Sequence, residues 1–547
     1  MRTLLAAPLA ALLLPLHVHA SEEAPRPASH AHPSDPRTGH SHGGSTHEGS
    51  PESSPSKQEK TGTREGPPEK DARPPAREPR RDDSPDSGHS QHGHHSTATV
   101  GPEASDILSR TLDSDGSHPG QHSPTTMSPN LLSLPSDSEA SHPGHHSSTT
   151  VSPEAPDILS LPMARDASGT AWQPDATPHA GTHLSAGRWG LMFHEQLFGG
   201  YVAQASKRGA HRFAGTGWLM LMAQRPLGED DRLGLRLMLS PEPLTAGGEG
   251  YPLLFQSGET YAGQRLHDRQ HPHDLFMEAA VTYTRALAPG WGFQLYAAPV
   301  GEPALGPVAA PHRASAAADP LAAIGHHWLD SSHISFGVLT AALLTPTAKL
   351  ELSWFNGREP DENRWDFDLR VPDSYAARLT TNPTPGVSAQ VSYGYMPSHD
   401  PLEPDEPLHR LTASVMYHRS VGSAGHWATT AAFGRNVGEH SGDTNAFLLE
   451  TNLDLDGRNV LFGRAEYVEK NDHDLVLPES FHGSTFDTVG LSLGYLRNLG
   501  TWGDFVPGLG ARVSVNPVPE GLGGVYGSAL PVGGMVYLRL ASAPSRH

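Results

Sequence analysis

From Arg188 onward the chain alternates between apolar and polar side chains in window after window. No stretch offers the roughly 20 uninterrupted apolar residues that a membrane-spanning helix needs. In Val387–Tyr395 every odd-numbered residue is apolar or aromatic, and the even ones are Ser388, Gln390, Ser392 and Gly394. Lys349–Trp354 sets two charges opposite Leu350, Leu352 and Trp354, and Leu411–Tyr417, Phe447–Leu453 and Val489–Tyr495 repeat the pattern. In Ile334–Leu344 one face carries Ile334, Phe336, Val338, Ala342 and Leu344, which the pattern sends outward, away from His333, Ser335 and Gly337. Successive side chains of a strand point to opposite faces, so these windows read as strands.

A soluble sandwich alternates too, and two features separate it from a barrel. The polar face mixes Gly, Ser, Thr, Glu, Arg and Gln, as a crowded wet interior requires. The apolar face places Trp354, Tyr393, Tyr395, Tyr417 and Tyr495 near strand ends, as an interfacial girdle would. The expected fold is all-β: a transmembrane antiparallel β-barrel of about 16 strands, counted from windows of ~9–11 residues, preceded by a long disordered arm. Val532–Leu540 reads as the last strand, followed by Ala541–His547.

The N-terminus fits that location. Arg2, the apolar run Leu4–Leu16 and the small residue Ala20 have the layout of a cleavable secretory signal over residues 1–20. The chain has no cysteine, which suits an exported protein that avoids thiols rather than pairing them. A formal net charge of −21 argues against nucleic acid as a partner. The expected location is the cell outer membrane, with the arm in the periplasm. The expected partners are outer-membrane lipid, the barrel-assembly machinery and periplasmic metal-handling proteins.

Residues 21–185 are dominated by Ser, Pro, His, Gly, Asp and Glu, with too little apolar surface to offset the entropy of ordering. Ser90–Ser109 and Ser141–Ser160 are imperfect copies of one unit, and a decayed copy begins at Ser117. The unit has no apolar face to stack, so it builds no solenoid. It does carry histidines, including His92, His94, His95, His142, His145 and His146. Imidazole suits zinc, copper(II) and nickel, and His-rich tracts are a compositional sign of metal binding. In this arm only Met127 and Met163 offer thioethers, which weighs against copper(I).

Residues 186–547, the expected barrel, hold two denser motifs, each just before a strand. One contains His267, Asp268, His271, His273 and Asp274, and the other His326, His327, Asp330 and His333. Two or three histidines with a carboxylate suit zinc, nickel or copper(II), provided the two strand starts share a rim. The competing expectation is a structural network, since Arg265, Arg269, Asp268 and Asp274 supply matched charges for fixing an inward-folded loop. A third cluster, Asn356–Arg364, follows the next strand. His333 and Ser335 stand two apart on one polar face. They resemble the His-x-Ser pair of outer-membrane phospholipases and lipid A deacylases, which implies lipid hydrolysis as a minor alternative. In those families the pair faces lipid and an Asn follows closely, whereas here the nearest Asn is Asn356.

The stretches around His267–Asp274, His326–Phe336 and Phe355–Asp368 resemble an uncharacterised group of proteobacterial outer-membrane barrel proteins, which implies fold and location. A His-bearing leader ahead of a barrel is also similar in layout to copper-resistance outer-membrane proteins of the CopB type, whose leaders are richer in Met. The reading is a porin-like, non-enzymatic barrel that requires no cofactor and handles Cu, Zn or Ni through its arm and lumen. Its main alternative is a passive pore with an inert arm.

Overall fold

The computed structural model describes residues 157–544 apart from 179, 440 and 441. The signal segment and the arm histidines, His92, His94, His95, His142, His145 and His146 among them, lie outside the described residues. Sixteen consecutive strands make the wall: β1 Trp189–Gln204, β2 His211–Pro226, β3 Asp231–Leu239, β4 Phe276–Ala288, β5 Trp291–Gly301, β6 Ser335–Leu344, β7 Ala348–Asn356, β8 Ser374–Thr384, β9 Val387–Met396, β10 Leu408–Val421, β11 Gly425–Gly438, β12 Gly442–Asp454, β13 Asn459–Asn471, β14 Thr485–Asn498, β15 Phe505–Val515 and β16 Val532–Ser542. Each pairs antiparallel with the next, and β16 returns to β1 with Gly533 opposite Gln204 and Ala541 opposite Gln196. The ladder closes on itself and leaves no unpaired edge to meet lipid. A short strand, Thr182–Ala186, pairs with Trp189–Phe193 and covers the part of β1 that β16 does not reach.

The two ends of the barrel differ. At one, the turns are short, as at Pro289–Gly290 and Pro385–Gly386. At the other, connections run through 240–275 and 302–334, the two longest, and 357–373. Both termini of the wall lie at the short-turn end. No helix among the described residues is long and apolar enough to cross a membrane.

The alternation decides which side chains meet hydrocarbon. Leu350, Leu352, Val391, Leu449 and Leu493 are exposed outside, while Lys349, Glu351, Ser392, Glu450 and Ser492 point into the bore. At the long-loop end Trp354, Tyr375 and Tyr395 stand in register on three adjacent strands, forming part of an aromatic girdle. In β6 the expected orientation is reversed. Leu339 and Leu343 are exposed, whereas Phe336, Val338, Ala342 and Leu344 are buried in the bore. The reason is that the bore is filled there: Val338 packs with Leu305, and Leu344 with Ile158 and Trp172. Both faces of β6 are therefore apolar, and periodicity alone could not choose between them.

Two segments fill the bore. The 302–334 loop turns inward and crosses it. Its backbone and side chains bond to β2 through Trp218, β7 through Ser353, β9 through Ser392, β11 through Thr430, β13 through Arg464 and β16 through Tyr537. The second segment is the end of the expected disordered arm, and the expectation fails for it. Asp157 caps a single turn over Ile158–Ser160, and Ile158 is buried against Gly292, where a Cβ would come within 2.6 Å of it. Beyond it, Arg165 grips Asp175 at 2.6 Å and stacks on Trp172. Lys349 Nζ lies 3.0 Å from Asp166, and Ala176 N–H donates to Pro385 at the short-turn rim. Deleting residues 21–156 is therefore expected to leave the conductance of the reconstituted barrel unchanged. Extending the deletion to 177 should raise conductance, because it uncovers the short-turn mouth and strips Lys349 of its partner. Single-channel recording in planar bilayers compares the two.

Candidate metal centre

The 240–275 loop contains a hairpin, Tyr251–Tyr261 with Gln264–Gln270, closed by Ala262 and Gly263, both at positive φ as a two-residue hairpin turn requires. Its register breaks on either side of Ser257, and Glu259 sits at φ 56°. That strained backbone aims the Glu259 carboxylate at His271, which follows the hairpin. From the other side the 302–334 loop delivers a four-residue helix, His326–Leu329, and then His333. The two motifs singled out in the sequence meet inside the bore.

One ring nitrogen from each of His271, His326 and His327 lies within 4.8 Å of the others. Their ring centroids are 5.1–5.6 Å apart. His333 stands 5.4 Å from His326 and 5.2 Å from His273, extending the row. Every ring is held from behind through Nδ1: His271 by the Pro272 carbonyl at 3.3 Å and by Glu259 at 3.0 Å, His326 by Asp330 at 2.8 Å, His327 by Glu359 at 2.6 Å. His333 Nδ1 donates to the Asp330 carbonyl at 2.7 Å, and His273 Nδ1 lies 2.9 Å from Glu242. The Nε2 atoms of His271, His326, His327 and His333 are buried and have no hydrogen-bond partner among the described residues.

This division of labour is what metal-ligating imidazoles show. A carboxylate or carbonyl fixes the tautomer through one nitrogen and leaves the other lone pair for the ion. Burial holds His271 well below the ordinary histidine range, His327 at about 4 and His333 at about 3. At neutral pH these rings are therefore uncharged, the form that binds metal. For His273 burial acts in the same direction, but the Glu242 carboxylate overrides it and raises the pKa. A tetrahedral ion at ~2.0–2.1 Å from each nitrogen needs ligands ~3.3 Å apart, so nitrogens within 4.8 Å of one another must close by up to about 1.5 Å. Gly258 makes room for the His327 ring, since a Cβ there would fall 2.2 Å from its Nε2.

The other expected ligands are placed elsewhere. His267 is partly exposed and faces only Asp268, which is spent on Arg208 at 2.8 Å and on Phe255 N–H. Asp274 pairs with Arg364, and Asp330 supports His326 and Arg313. Arg265 goes to Asp400 and Glu403, and Arg269 to Glu249, so the charges expected to match within the motif find partners outside it. Glu259, Glu242 and His399 were not legible as members of the site. His399 Nε2 lies 3.2 Å from Glu359 and could be found only by folding the 397–407 loop over the mouth. His333 and Ser335 do not form a dyad, since Ser335 Oγ donates to the Ser332 carbonyl.

The chain is thus a transmembrane β-barrel of the outer-membrane type, with a histidine cluster across its bore. No protein family model matches it, and no curated protein matches it in sequence. Solved barrels resemble it at low identity. An anion-selective porin from Comamonas acidovorans has 12% identity, TM-score 0.40, and covers 64% of this chain and 99% of its own. Salmonella typhi OmpF has 8% identity, TM-score 0.43, and covers 66% and 100%. The DcaP channel of Acinetobacter baumannii has 11% identity, TM-score 0.38, and covers 66% and 100%. At such distances no residue of theirs carries over to this chain.

Proposed function

We propose that this barrel binds a divalent transition metal in its bore through His271, His326 and His327, and serves metal transport or tolerance rather than passive permeation. The observation that carries the reading is the set of unpartnered, buried Nε2 atoms, each backed by an Nδ1 anchor. A structural histidine network would spend both nitrogens on protein partners. The passive-pore alternative gives these buried Nε2 atoms no role. Imidazole-only ligation suits zinc, copper(II) or nickel.

Short turns face the periplasm in barrels of this kind, and both ends of the wall lie with the short turns. On that orientation residues 157–177 cover the periplasmic mouth, and the His-bearing segment that precedes them belongs to the periplasm, the compartment of its metal-handling partners. Titration calorimetry of the full chain with Zn(II), Cu(II) and Ni(II) tests the reading. One tight equivalent is expected, absent from the His271→Ala/His326→Ala/His327→Ala variant. Equal binding by both proteins would refute it.

A further inference from the structure

We propose that the bore carries a second, soft metal site for a cuprous ion, built from His194, Met220, Met238 and His312 against the face of Trp218. The proposal is independent of the three-histidine centre. It concerns a different ion class and shares none of its ligands.

The wall places these residues together. His194 on β1 is the register partner of Met220 on β2, and Met220 is the partner of Met238 on β3. Direct partners across antiparallel strands hold their Cβ atoms ~4.5–5.5 Å apart, so the three side chains form one row on the inward face. His312, from the crossing loop, closes the row from above. Its Nε2 lies 3.2 Å from Met238 Sδ, and its ring centroid is 4.4 Å from that of Trp218. The ring of His194 is 4.8 Å from Trp218 and 6.0 Å from His312, and its buried Nε2 has no hydrogen-bond partner among the described residues. Among the described residues no carboxylate pairs with either imidazole, whereas carboxylates hold the Nδ1 atoms of the first centre. The nearby Arg236 is engaged by Glu278 and by the carbonyls of Asp166 and Ala167.

Packing alone would be the ordinary account of buried methionine. It explains the location poorly. Of the chain's 11 methionines, Met192, Met220, Met222, Met238 and Met277 join one buried cluster, and Met163 packs on it. On β9 and β10 the inward face is largely polar, with Ser388, Gln390, Thr412 and Ser414, and the buried Met396, Met416 and Met535 stand apart from one another in three other clusters. A thioether is a weak hydrogen-bond acceptor, so it is a poor resting partner for a buried imidazole. Thioether with imidazole is a set that selects Cu(I), and an indole face adds attraction for a cation.

The test uses the full chain under anaerobic conditions, titrated with Cu(I) in competition with bicinchoninate, and with Ag(I) as a redox-inert stand-in. Met220→Leu/Met238→Leu preserves volume and should leave the heat-modifiable gel shift of the folded barrel intact. It is expected to weaken one Cu(I) equivalent by about 100-fold or more, beyond the ~10–100-fold usual for losing an outer-shell group. The sulfur scattering of that equivalent in X-ray absorption should disappear, while Zn(II) binding stays unchanged. Trp218→Phe, which introduces no change in the ligands, should keep the Cu(I) equivalent but lose part of the Ag(I)-induced quenching of tryptophan emission. Equal Cu(I) affinity in wild type and the double variant, or a wild-type copper spectrum with nitrogen and oxygen neighbours only, overturns the proposal. If the double variant does not fold, undiminished quenching in Trp218→Phe overturns it as well.

Discussion

Replacing His327 with alanine is expected to abolish tight Zn(II) binding by the full chain, and the size of the loss should be read against a graded set of variants. His327 supplies an unpartnered Nε2 to the three-ring cluster and ties Nδ1 to Glu359 at 2.6 Å. Removing the ring takes away one of three ligands and leaves Glu359 to His399. Glu359→Gln keeps the ring but weakens the anchor, so an effect of about 10–100-fold is expected, or roughly 1.4–2.8 kcal/mol. His327→Ala should exceed that range. His267→Ala should leave the tight equivalent unchanged, because His267 faces only Asp268 at the hairpin surface. Calorimetric titration of the four proteins ranks them. A His267 variant that loses the equivalent, or a His327 variant that keeps it, contradicts the assignment. The same ranking separates lumen from arm, since none of these changes touches the histidines of residues 21–156.

Much of the wall was legible in the sequence, because a closed barrel exposes its pattern directly. Every second residue of β7, β9, β12 and β14 meets lipid, so local alternation carries the whole signal. The pattern failed at β6, where Val338 and Leu344 are apolar for a reason outside their own strand: the loop and the N-terminal segment that pack against them. It failed again at Ile158 and Trp172, whose flanks read as a polar tail. Two apolar side chains suffice there because the barrel supplies the rest of the core. The histidine motifs were visible as motifs. Their convergence was not, since 53 residues separate His273 from His326 and the hairpin's strained register is a tertiary property. The Met220–Met238 row was written as ordinary inward positions of two strands. Only the strand register and the inward loop bring His194 and His312 to it.

Arg313 is where folding and function meet in the bore, and Arg313→Met should affect both. The guanidinium is fully buried, donating Nε to Glu450 at 2.7 Å, and Nη1 to Asp330 at 2.6 Å and the Val308 carbonyl at 3.0 Å. Its removal leaves Asp330 buried without a cation, although Arg464 still faces Glu450 at 3.0 Å. Breaking a buried pair by deleting one partner costs about 3–5 kcal/mol, whereas an exposed pair such as Arg435–Asp443 is worth ~0–1 kcal/mol. Asp330 also anchors His326 at 2.8 Å and the Ala310 N–H at 2.9 Å, so the loss propagates to the metal centre and to the start of the crossing loop. The expected results are a lower denaturation midpoint in detergent, weaker Zn(II) binding, and larger conductance as the 302–334 loop leaves the bore. Arg435→Ala should change none of the three. Stability and conductance are measured on the same preparations, and an Arg313→Met barrel that conducts like wild type would show that the loop is held by its remaining bonds, to Thr430, Arg464 and Tyr537, without the buried ion pair.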